Sequence, residues 1–64
     1  MPKSYIPENA TIQQLESELS KLKGYKENQA VDNPYKPGNL IAVKNLKAVI
    51  RNRIGKITQE TRLP

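Results

Sequence analysis

Cysteine, histidine, tryptophan and phenylalanine are all absent from this chain of 64 residues, and each absence removes something. Without cysteine, neither a disulfide framework nor thiolate metal ligation can staple so small a domain, and the lack is compatible with a reducing compartment. Without histidine as well, the commonest general base and the commonest metal ligands are gone. No glycine-rich phosphate loop is present, and the acids are scattered over expected solvent faces instead of paired. The expectation is therefore a protein that is not an enzyme and uses no metal or cofactor. A membrane-surface helix would want tryptophan or phenylalanine as an interfacial anchor. No apolar run approaches the roughly 18 residues needed to span a bilayer, and the start, "MPKSYIPEN", carries two prolines and no signal-peptide run. The expected setting is the cytoplasm or an organellar matrix.

Acid is the scarcest component of the second half. Up to residue 37, Lys3, Lys21, Lys23, Lys26 and Lys36 are balanced by Glu8, Glu16, Glu18, Glu27 and Asp32. Beyond it, Lys44, Lys47, Arg51, Arg53, Lys56 and Arg62 face Glu60 alone, so the whole net charge of +5 lies there. An asymmetry of this kind points to a polyanionic partner for one half of the chain.

The apolar residues fall at helical spacing. Ile12, Leu15, Leu19 and Leu22 occupy one narrow stripe. Thr11 with Gln14 three residues later forms a capping box, so a first helix is expected from residue 11, running to about 29 with Gly24 as a weak point. In "VDNPYKPGN", Pro34 and Pro37 withdraw amide donors and drive the residues before them out of helical angles. "KPGN" places proline and glycine at the centre of a type II turn, and Asn39 is a suitable N-cap for a helix beginning at residue 40. That second helix, over 40–59, carries Val43, Leu46, Ile50, Ile54 and Ile57 along one edge. The expected fold is all-α: an antiparallel two-helix hairpin with an extended N-terminal arm over 1–10, a proline-rich connection over 30–39 and a tail over 60–64. The two stripes form its interface. A seam that small sits below what a chain of this size needs for a self-sufficient core, so a partner surface is expected.

At about 100° per residue, Lys44, Lys47, Arg51 and Arg62 lie on one flank of the second apolar edge. Arg53 and Lys56 lie on the other, beside Val49. Basic side chains at such spacing reach successive phosphates, and arginine grips them bidentately. An ordinary solvated face is the alternative, but such a face usually carries both signs. All six are the candidate RNA contacts. Tyr5, Tyr25 and Tyr35 are too dispersed for a base-stacking platform and suit packing or turn roles. With no such platform and no amide cluster placed to read bases, weak sequence preference is expected.

The stretch "IRNRIGKI", residues 50 to 57, with "LESELSKLKG" in the first half and "NP" in the connection, resembles the large-subunit ribosomal protein twenty-nine family. That family is a helical hairpin of about this length, whose basic second helix carries arginines followed by isoleucine, a small residue, a basic residue and isoleucine. Arg51, Arg53, Ile54, Gly55, Lys56 and Ile57 match that pattern. The connection here is longer, Asn52 stands at a commonly basic position, and the first helix lacks the aromatic-leucine-arginine segment. The resemblance implies a small structural protein of a ribonucleoprotein, binding ribosomal RNA beside a neighbouring protein. Competing with it is a protein-interaction hairpin, a phage or assembly subunit that enters a protein-only complex or self-associates into a helical bundle. DNA binding through a tight helix-turn-helix is argued against by the long double-proline connection.

Overall fold

The computed structural model describes residues 6–62, with side chains to residue 60. Helix α1, Ile12–Lys21, passes into a single 3-10 turn at Leu22–Gly24. Strands β1, Ala30–Asp32, and β2, Leu40–Ala42, pair antiparallel, and helix α2, Val43–Arg62, begins directly after β2. The expectation of an all-α hairpin is therefore corrected: the chain is a small mixed α+β fold in which a β-hairpin joins two helices.

The start of α1 is set by its capping box. Gln14 N–H donates to Thr11 Oγ1 at 3.2 Å, and Thr11 N–H donates to Gln14 Oε1 at 2.9 Å. Each side chain thereby satisfies a backbone donor that the first turn leaves free. The helix does not continue to residue 29. Leu22 is the last residue of the stripe, Gly24 weakens any further helical turn, and Tyr25 turns extended at φ −103°, ψ 147° as its N–H closes the 3-10 turn on Leu22 O at 3.1 Å.

The proline-rich connection is a pair of back-to-back turns. Lys36 N–H donates to Asn33 O and Asn39 N–H to Lys36 O, both at 3.2 Å. Gly38 adopts φ +93° as the third residue of the second turn, which is the type II geometry expected from "KPGN". Asn33 Oδ1 accepts from Tyr35 N–H at 2.9 Å, an Asx turn that fixes the first reversal. Chain reversal brings Ala30, Val31 and Asp32 opposite Ala42, Ile41 and Leu40. Asn33 N–H to Asn39 O at 2.8 Å and Val43 N–H to Gln29 O at 2.9 Å continue the same register at both ends.

That ladder explains why α2 starts at Val43 and not after Asn39. Val43 and Lys44 spend their N–H groups on Gln29 O and Glu27 O, at 2.9 and 3.0 Å. Carbonyls of the preceding segment therefore do what an N-cap side chain would do. Nor is the N-terminal segment an extended arm where it is described. Ile6 and Ala10 are buried, Ile6 N–H donates to Pro34 O, and Pro7–Ala10 is closed by Ala10 N–H to Pro7 O, both at 3.1 Å. Residues 1–5, Tyr5 among them, lie outside the described residues.

The core is correspondingly broader than the two stripes. Leu15, Leu22, Val43, Leu46 and Ile50 are buried, with Leu19, Ile54 and Ile57 packed against them. Ile6, Ala10 and Val31 join from outside the helices, as do Tyr25, Tyr35 and Ile41 at its margin and the buried Pro34. Ile12 is half-buried, at the edge of this cluster and not within it.

Candidate nucleic-acid interface

Helix α2 is held by one edge. Val43 and Ile50 are fully buried and Leu46 nearly so, which fixes the rotation of the helix about its axis and decides what its other faces present. Lys44 and Arg51 are exposed and Lys47 is half-exposed along one flank, while Lys56 is exposed on the other. Arg62 closes the helix, but its side chain lies outside the described residues.

Arg53 is used differently. It is half-buried, its guanidinium lies 5.6 Å from the centroid of the Tyr35 ring, and its Nη1 donates to Glu8 O at 3.5 Å. The guanidinium thus ties α2 to the turn after β1 and to the N-terminal segment, and its charge is turned inward from the exposed flank. Tyr35 is half-buried with its hydroxyl out of reach of solvent and without a hydrogen-bond partner. Burial pushes its phenol above the ordinary value; the Arg53 charge lowers it in part and the Glu18 carboxylate raises it further.

Among the described residues the single ion pair is Lys21–Glu18, at 3.1 Å on α1. Lys44, Lys47, Arg51 and Lys56 are consequently in no ion pair, although Glu60 lies one turn beyond Lys56. Their field extends into solvent, where it is available to a polyanion. Also among the described residues, no group of three or more acidic, histidine or cysteine side chains is placed to hold a metal ion, and no helix is long and apolar enough to cross a membrane.

Between the two flanks runs a face that sequence reasoning passed over. Asn45, Asn52 and Gln59 recur at intervals of seven, so they share one line along α2, and all three are exposed. Ala48 and Gly55 lie beside that line, also exposed. Around Gly55 the surface dips into a shallow depression of about 670 Å³, lined by Asn52 and Gln59 together with Val49, Arg51, Arg53 and Lys56. Nothing comes within 4 Å of where a side-chain carbon at Gly55 would sit, so the glycine is not demanded by packing within the chain. An amide cluster is therefore present after all. Its signal was the heptad interval of Asn and Gln, which the same helical geometry that placed the cations sets opposite the apolar edge.

The chain matches no family model, no curated protein and no solved structure, so the ribosomal resemblance gains nothing from these comparisons.

Proposed function

We propose that this chain is a non-catalytic nucleic-acid-binding protein whose helix α2 engages the phosphate backbone through Lys44, Lys47, Arg51 and Lys56. One observation carries the reading: these cations stand on the flanks of a helix whose apolar edge is locked in the core, and among the described residues none of them is held in an ion pair. Rigid presentation lowers the entropy lost when such side chains meet phosphates, and counterion release supplies most of the affinity. Arg53 contributes to the fold before it contributes to binding, given its contacts to Tyr35 and Glu8. RNA in a ribonucleoprotein and duplex DNA offer these cations the same phosphates.

Exposed apolar groups favour a second reading, a protein-interaction module. Leu40 on β2 is 74% exposed and Val49 on α2 is 38% exposed. Such an association would be nearly indifferent to salt. The two readings separate in a binding titration of the full chain against labelled ribosomal RNA fragments and duplex DNA at low salt. Saturable binding that is weakened when Lys44 and Arg51 are both changed to glutamine supports the phosphate reading. Absence of binding to every nucleic acid overturns it in favour of the protein partner.

A further inference from the structure

We infer that α2 is a groove-reading helix for duplex DNA, with Asn52 as the principal contact to base edges; this rests on the phosphate-binding reading and names the polymer. The order of side chains around the helix is the ground for it. Moving outward from the buried edge, each flank comes to cations and then to the line of amides at Asn45, Asn52 and Gln59, which is the part of α2 farthest from the core. An α-helix with its side chains is about 10–12 Å across, and the major groove of B-form DNA, about 12 Å wide, admits it. In that pose Arg51 and Lys56, which line the depression around Gly55 from the two flanks of the helix, would meet the phosphates of opposite strands. The amides between them face the base edges.

Chemistry and dimensions agree with this placement. The side-chain amide of asparagine or glutamine donates to N7 of adenine and accepts from its exocyclic amine in a bidentate pair. A seven-residue interval advances about 10 Å along a helix, so neighbouring amides address base pairs about three steps apart at the duplex rise of about 3.4 Å. Asn52, the middle of the three, sits deepest when a straight helix crosses a curved groove. The missing side chain at Gly55, one turn away, lets the backbone approach closely, and no internal contact explains that absence. A-form RNA offers no equivalent site, because its major groove is too narrow and deep for side chains to read. The route to the groove is not a helix-turn-helix. Here the segment leading into β1 backs the N-terminus of the reading helix, Gln29 O and Glu27 O accepting from the Val43 and Lys44 amides, and helices fixed in other ways also enter the groove.

The test uses the full chain and fluorescence anisotropy with three probes of equal length: duplex DNA enriched from a random library by the protein, an unrelated duplex DNA, and duplex RNA. Expected are binding to duplex DNA at least about tenfold tighter than to duplex RNA at the same salt, and a loss of about tenfold on the enriched sequence for Asn52→Ala. That variant should leave the unrelated duplex, the salt dependence and the circular dichroism spectrum unchanged. Equal affinity for duplex RNA, enrichment of no sequence, or an Asn52→Ala variant that matches the wild type on the enriched duplex overturns the groove reading while leaving phosphate binding intact. No binding to any of the three probes overturns both.

Discussion

Three residues have environments that set the sign of a substitution. Gly55 lies within α2 with open space where a side chain would go and with no positive φ. Gly55→Ala should therefore stabilise the fold by about 1 kcal/mol, through helix propensity and a less flexible unfolded chain. Gly38, at φ +93°, also has open space around it but a backbone that side chains avoid, so Gly38→Ala should destabilise by about 1–2 kcal/mol. Urea unfolding of the two variants checks the pair, and shifts of the same sign would contradict this account of the turn and the helix. Tyr35 supplies the third. Its hydroxyl is buried without a partner, so Tyr35→Phe should keep the ring under Arg53 and gain about 1 kcal/mol by removing an unsatisfied group. Because its folded phenol titrates above the unfolded one, the tyrosine's contribution to stability is fully present below roughly pH 10 and is lost as pH rises through the folded value. The stability advantage of Tyr35→Phe over wild type should accordingly widen above that pH in alkaline melts.

Among the elements, α1 depends most on one local motif. Thr11→Ala removes the hydroxyl that accepts from Gln14 N–H and unpairs the capping box, which should cost about 1 kcal/mol, read as a fall in melting temperature of roughly 4–8 °C. That motif, the apolar stripes and the "KPGN" turn were legible because each is a rule about residues within four positions of one another. The strands were not. Ala30–Asp32 and Leu40–Ala42 are three residues each, too short for an alternating pattern to stand out, and their pairing spans the seven residues 33–39. The clue was β-branched Val31 and Ile41 at equal distance from the two turns, which hairpin formation aligns directly opposite each other. For the same reason Asn39 misled: a good N-cap residue was already committed to the second turn, and the start of α2 was set by carbonyls from Glu27 and Gln29. On the candidate surface, Lys44, Lys47, Arg51 and Lys56 could be placed by helical geometry alone. The inward engagement of Arg53 could not, since Glu8 and Tyr35 reach it only through tertiary packing.

Over the whole molecule, charge and packing divide between the two sides of α2. One side closes a core assembled from α1, the hairpin and the N-terminal segment; the other leaves an acid-poor cationic surface, in a chain of net charge +5, facing solvent. The central claim is that this surface binds nucleic acid by releasing counterions from phosphate. Its most direct test is the dependence of affinity on salt for the full chain and a labelled duplex DNA, compared with a variant carrying Lys44→Gln and Arg51→Gln, which spares Arg53 and with it the fold. With Lys44, Lys47, Arg51 and Lys56 all on phosphates, the logarithm of affinity should fall with the logarithm of salt at a slope of about −3 to −4, and the double change should reduce that slope by about two units. A slope near zero, or one that the double change leaves as it was, would contradict the account.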